Sequence, residues 1–235
     1  MNNPVNRQLV HNFIAGMFIL LLLICTVWSA RTGIAAAHAY PAKNMLDQWR
    51  KQRLVLRQQD WHQLQSGLEQ ALVYDNTVPE LLTDLGNAYE SAVFYSPVGA
   101  DSAHASRNLA RQYYLQALSI RPGWPYSWTD LARIKYMLNE IDAEFYAALQ
   151  NAVMLGPWEP QVQLTVAEIG LRHWDDINKE TRQLVIRMIN NGIYSPDEAM
   201  RMFKLLQHYD QLELVCNETG LAPDIEKNCV QYMPR

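Results

Sequence analysis

The sequence predicts an all-α fold: an N-terminal transmembrane helix followed by tetratricopeptide-like antiparallel helix pairs. Three observations carry that expectation. Residues Leu9 to Ala30 contain no Asp, Glu, Lys or Arg. The turns Arg-Pro-Gly-Trp-Pro at 121–125 and Leu-Gly-Pro-Trp-Glu-Pro at 155–160 set Trp124 and Trp158 34 residues apart, one tetratricopeptide period. No window alternates apolar and polar residues as a half-buried strand would. A turn recurring at this interval implies stacked helix pairs, each too small to bury its own apolar face.

The elements follow in order. A short tail, 1–8, precedes the apolar stretch 9–30, whose densest part includes Phe-Ile-Leu-Leu-Leu-Leu-Ile at 18–24. Twenty-two residues suffice to cross about 30 Å of hydrocarbon as a helix. An uncleaved signal-anchor is the expectation. The alternative is a cleaved signal peptide, since Ala37-His38-Ala39 has the small-x-small form, although it lies late and beyond Arg31. Ile24 stands before Cys25 where a lipidation signal needs a small residue. Residues 31–59 read as a linker and first helix.

Repeats are expected over 60–170. From Pro79, Leu82, Leu85, Gly86 and Tyr89 occupy positions 4, 7, 8 and 11 of a first repeat helix. Ala110, Tyr114, Ala117, Leu118 and Pro122 supply the second, after an insertion read as a loop over 91–106 because it is rich in Ser, Pro and Gly. The next unit starts at Pro125 with Trp128, Leu131 and Ala132, then Phe145, Leu149, Ala152, Val153 and Pro157. The helix from Trp61 to Tyr74 belongs to the same series. Downstream, Arg187 falls where a small residue belongs, so 171–235 reads as a degenerate repeat and a C-terminal cap, with one more helix over Asp197 to Asp210.

Charge excludes one class of partner. All 24 acidic residues lie after position 40, as do all but two of the 20 basic ones, Arg7 and Arg31, so the domain beyond is acidic and suits no generic nucleic-acid binder. The positive-inside rule sets Arg7 on one side against Arg31 and Lys43 on the other, whereas a positive charge followed by an apolar run is the usual export signal. Cys216 and Cys229 sit in the last 20 residues, with Gly220 and Pro223 between them to turn the chain. They form either a disulfide, which would persist only in an oxidising compartment, or two unpaired thiols.

No residue is singled out as catalytic, cofactor-binding or metal-binding. The histidines form no HxH or HExxH pair, and no Walker or dinucleotide loop occurs. Asp101, Ser102, His104 and Ser106 share a segment without a nucleophile elbow. Asp175-Asp176 and Glu140-Ile-Asp142 could pair as carboxylates for glycosidic chemistry, but the first marks a helix-to-helix junction and the second the start of a second repeat helix, where acidic residues belong for dipole reasons. Trp124, Trp158 and Tyr126 are the candidates for contact with a partner protein or glycan. For the two tryptophans, packing against a neighbouring repeat is the first expectation, ahead of ligand contact, and Trp128 is a core position.

This combination resembles the VpsP-like family of bacterial polysaccharide biosynthesis proteins. The likeness rests on Arg121-Pro-Gly-Trp-Pro-Tyr-Ser-Trp128 with Leu131-Ala132, then Asp142-Ala-Glu-Phe145 and Leu155-Gly-Pro-Trp-Glu-Pro-Gln161. Val166-Ala167, Gly170-Leu171, Trp174 and the stretch from Tyr209 to Leu214-Val215-Cys216 follow in order. The resemblance implies a bacterial inner-membrane protein acting in exopolysaccharide or O-antigen assembly or export, and it brings no catalytic residues with it. The expected function is a non-catalytic, membrane-anchored scaffold, its C-terminal domain in the periplasm, binding a protein of that machinery. The alternatives are a periplasmic glycan-binding or glycan-modifying protein using exposed aromatics and carboxylates, and a cytoplasm-facing tetratricopeptide adaptor.

Overall fold

A computed structural model describes residues 4–52, 58–93, 101–194, 196–216 and 223–232. Among them there is no strand. The helices are α1 (Pro4–Gln52), α2 (Gln58–Tyr74), α3 (Pro79–Ala92), α4 (Asp101–Ile120), α5 (Pro125–Met137) and α6 (Ala143–Leu155). They continue with α7 (Pro160–Arg172), α8 (Lys179–Ile193), α9 (Pro196–His208), the single turn α10 (Glu213–Cys216) and α11 (Pro223–Tyr232). The chain divides into two compact units, residues 1–88 and 89–235.

In the first unit α1 is one continuous helix, so the expected break after residue 30 into a linker is absent: the helix runs on through Pro41 to Gln52. Its two halves differ in what surrounds them. Every side chain from His11 to Arg31 is exposed, whereas Ala35, Ala39, Ala42, Leu46 and Trp49 are buried at alternating steps of four and three. That stripe packs antiparallel on Leu64, Leu68 and Ala71 of α2. The alanines let the backbones approach closely. A Cβ on Gly67 would lie 3.1 Å from the His38 carbonyl oxygen and 3.2 Å from the Ala42 Cβ. The His38 and Tyr74 rings stack at 5.5 Å, and Lys43 pairs with Asp84 of α3 at 3.2 Å. The apolar half is long enough to cross a membrane.

The second unit is built of repeat-like helix pairs. α5 and α6 form one hairpin, α7 and α8 the next; α5, α7 and α9 lie side by side in sequence, and α6 packs on both α7 and α8. Proline opens α3, α5, α7 and α9, at the first-turn position where its missing N–H costs nothing. Tyr114, Leu131, Ile134, Phe145, Leu149, Val166, Val185, Met188, Phe203 and Leu206 form one continuous core.

Two expectations need correction. The segment 91–106 is not a loop throughout: α3 extends to Ala92 and α4 begins at Asp101, while 94–100 lie outside the described residues. An acidic residue in the first turn favours helix there, and Ala103, Arg107 and Ala110 continue the buried stripe of α4 by one more turn. Nor is the repeat containing α8 degenerate. Asp142 caps α6 by accepting from the Phe145 N–H, and Asn178 caps α8 by accepting from the Thr181 N–H, 36 residues on. Adding 36 to Leu149, Ala152, Val153 and Gly156 gives Val185, Met188, Ile189 and Gly192, all buried. The turn before α8 is one residue longer than the turn before α6. The register slips by one, and Arg187 stays exposed.

Candidate interaction edge

The turns that lead from one helix pair to the next share one hydrogen-bond pattern. The Arg121 N–H donates to the Ala117 carbonyl at 2.9 Å and the Trp124 N–H to the Arg121 carbonyl at 3.3 Å. In the following turn the Gly156 N–H donates to Ala152 at 2.9 Å and the Glu159 N–H to Gly156 at 3.2 Å. The second turn packs on the first. A Cβ at Gly156 would lie 2.7 Å from the Cβ of Pro125, so a side chain there would push the turns apart. The Tyr126 hydroxyl donates to the Glu159 carboxylate and ties them together. That bond, with partial burial adding to it, raises the Tyr126 pKa and keeps the phenol protonated as a donor. Asn191 of α8 and Gln163 of α7 both donate side-chain N–H groups to the Pro157 carbonyl, at 2.8 and 3.0 Å.

The three sequence candidates are thereby gathered on one edge. Trp124 stacks obliquely on Tyr126 at 5.3 Å, with the Arg121 guanidinium 5.2 Å from its ring, and remains 42% exposed. Trp158 is 72% exposed, so the reading that it packs against a neighbouring repeat does not hold. Its side chain leaves a turn whose inner contacts are already filled by Gly156 and Pro157. Trp128 is only half-buried and donates its indole N–H to the Pro122 carbonyl at 2.6 Å, which locks the first turn from beneath. Sequence reasoning missed further exposed apolar residues at the ends of α4, α6 and α8: Ile120, Met154, Leu155 and Tyr194. Their signal is positional, since each falls at the last turn or C-cap of a second repeat helix.

The opposite ends of α5, α7 and α9 carry another cluster that was not foreseen. The Arg172 guanidinium lies 5.6 Å from the Tyr136 ring and 5.9 Å from the Tyr209 ring, and its Nε donates to the Tyr209 hydroxyl at 3.0 Å. His173 meets Tyr136 edge-on at 4.8 Å and pairs with Asp176 at 2.8 Å. Trp174 lies under Arg182, with the guanidinium 5.5 Å from its ring. A recurrence of Tyr136, Arg172 and Tyr209 at helix ends was present in the sequence, but without a shared residue type it gave no motif.

Two charged networks hold the unit from inside. Buried Glu90 accepts from the Tyr114 hydroxyl at 2.8 Å and from Arg133 Nη2 at 2.9 Å, while Arg133 Nε lies 2.7 Å from its other oxygen. Arg133 also donates to Asp130 at 2.8 Å. Burial, then the negative charges of Glu90 and Asp130, push the Tyr114 pKa well above its ordinary value. Lys135, 1% exposed, directs its ammonium at Glu140, Asp142 and Glu144 at 2.8, 2.9 and 2.9 Å. Burial alone would lower the Lys135 pKa; the three hydrogen bonds outweigh it and the pKa rises. At Asp142 and Glu144 burial acts to raise the pKa, and the bonds from Lys135 reverse it, holding both below the usual carboxylate range. Such a lysine stays an ammonium, poorly suited to act as base or nucleophile.

The Asp101, Ser102, His104 and Ser106 group lies along the first turns of α4, where His104 Nδ1 meets Asn108 at 2.9 Å. No group of three or more His, Cys, Asp or Glu that could hold a metal occurs among the described residues. Cys216 and Cys229 are joined by a disulfide with their Cα atoms 5.5 Å apart. No family model matches the chain, and no curated protein matches it.

Proposed function

We propose that this protein is a non-catalytic, membrane-anchored accessory protein of bacterial exopolysaccharide or O-antigen assembly or export, with its helical-repeat domain in the periplasm. The observation that carries the binding role is the edge made by two stacked, identically bonded turns, which leaves Trp124 and Trp158 exposed on a rigid support. Aromatic anchors on a preformed surface are what a protein partner's groove or side chains engage at low entropic cost. The pathway comes from the resemblance to the VpsP-like family, and the periplasmic setting is supported by the Cys216–Cys229 disulfide, a bond suited to an oxidising compartment.

The test has two arms. Deleting the gene should lower the amount or chain length of cell-surface polysaccharide, and the wild-type gene should restore it. Unchanged polymer would end the polysaccharide reading. Alkaline phosphatase fused after residue 235 should be active; a silent, stably expressed fusion would favour the cytoplasm-facing adaptor. The exposure of Trp158 also suits a second reading, direct glycan contact. Calorimetry with purified oligosaccharide separates the two, because the scaffold reading expects crosslinks to protein and no heat from the sugar.

A further inference from the structure

The bare and packed halves of α1 meet at a defined level, and α2 ends there. Antiparallel pairing brings the end of α2 down to Arg31, whose Nε donates to the Tyr74 carbonyl at 3.0 Å. Trp28 is the last large apolar side chain of the exposed stretch, and Arg31 lies three residues, about 4.5 Å, further along the helix. The polar layer of a bilayer is roughly 5–7 Å deep on each side. The Arg31–Tyr74 contact therefore falls within that layer if α1 spans.

From this we propose that the turn between α2 and α3, 74–78, rests on the bilayer, with Val73 set into the lipid headgroup region. The inference rests on the reading of α1 as a membrane span. Apart from Ile34 and Tyr40, which lie higher on α1, Val73 is the exposed large apolar side chain described in the first unit outside the span, and it is 74% exposed. The turn is also prepared for a poorly hydrated surface. Arg31 satisfies the last carbonyl of α2, and Asp75 is turned inward, its Oδ1 accepting from the Thr77 N–H at 3.1 Å and hydroxyl at 2.7 Å. The outward side is left to Val73, Asn76 and Thr77, none of them charged. A helix pair footed in this way holds the packed half of α1 at a fixed height above the membrane.

The experiment uses the full chain with Cys25→Ser and one introduced cysteine at a time, Val73→Cys, Asn76→Cys, His62→Cys or Phe18→Cys. Each is labelled with an environment-sensitive fluorophore and reconstituted into phosphatidylcholine–phosphatidylglycerol vesicles. The disulfide-bonded cysteines take no label. Lipids carrying a nitroxide near the headgroup should remove most of the emission from labels at 73 and 76 and leave that at 62, about 16 Å further up α2, nearly unchanged. Labels at 73 and 76 that behave like the label at 62, while the label at 18 is quenched by nitroxides deep in the acyl chains, would overturn the footing and keep the span. A label at 18 that no lipid nitroxide quenches would overturn both.

Discussion

Gly170→Ala is the sharpest test of how α7 and α8 pack. Gly170 occupies the position that holds Tyr89 and Lys135 in the preceding repeats, and a Cβ built on it would lie 2.2, 2.7 and 3.0 Å from Cγ2, Cγ1 and Cβ of Val185. Carbon atoms rest at about 3.5–4.0 Å. Val185 is fully buried and β-branched, so in a helix it has one favoured rotamer and cannot swing aside. α8 itself must move outward, loosening Met188, Ile189 and Ile193. Overpacking of this kind costs about 3 kcal/mol, at the upper end of its range, and the better helix propensity of alanine returns about 1. The net loss is about 2 kcal/mol, or roughly 4–8 °C in Tm for a chain of this size.

Thermal unfolding followed by circular dichroism reads that shift. Combining Gly170→Ala with Val185→Ala should recover at least about 1 kcal/mol relative to the sum of the single effects, since the new methyl enters the space the valine vacates. Because Asn191 of α8 holds the Pro157 carbonyl, the single variant should also disturb the Trp158 turn, seen as a change in tryptophan fluorescence. A Gly170→Ala protein as stable as wild type, or more stable by the propensity term, would refute the close packing.

Three further outcomes are expected. Cys216→Ser should cost on the order of 3 kcal/mol by the loop-entropy model and release the C-terminal helix, detected as faster proteolysis after α9; equal proteolysis rates would mean α11 stays docked unaided. Tyr114→Phe should cost about 2 kcal/mol at pH 7 through its lost bond to Glu90. Its raised folded pKa means that the tyrosine's contribution is complete below the unfolded value of about 10 and is lost as pH rises beyond it, so the gap between wild type and variant should narrow at pH 11 in urea titrations, and a constant gap would contradict the buried donor. Trp124→Ala with Trp158→Ala should change Tm little, because both side chains are largely outside the core, yet abolish the crosslinks to protein that the proposed scaffold role expects; loss of fold would show that the edge is structural.

Much of the architecture was legible because it depends on short, strongly determined signals. Proline at the first helical turn, the paired Trp turns and the uncharged run from Leu9 each have one good structural solution. The helix from Trp61 to Tyr74 and the one from Asp197 were expected within a few residues of their bounds. What failed did so for identifiable reasons. Composition made 91–106 look like a loop, but Asp101 at a helix start and the buried stripe through Ala103 and Arg107 decide the conformation from residue 101 onward. A fixed step of 35 hid the second helix of the repeat formed by α7 and α8, where one extra residue in the turn before α8 moves every core position of that helix by one. The candidate edge was found through its tryptophans. Its Met154, Leu155 and Tyr194 members were missed because exposure of an apolar residue at a helix end depends on how the next turn stacks, which is set by Gly156 against Pro125 and not by local pattern. The Glu90–Tyr114–Arg133 network joins residues from three helices and leaves no trace in any one window.

Lys135 has a consequence for chemistry on the living or purified protein. An amine reacts with acylating reagents only through its neutral form, and here all three ammonium hydrogens are directed at carboxylates while the side chain is out of solvent's reach. Surface lysines such as Lys179 and Lys204 should take up such a reagent freely, whereas Lys135 should remain unmodified for as long as the turn between α5 and α6 is intact. The extent of modification at this one residue, read by mass spectrometry, is therefore a gauge of opening at the centre of the repeat unit, available without any engineered probe.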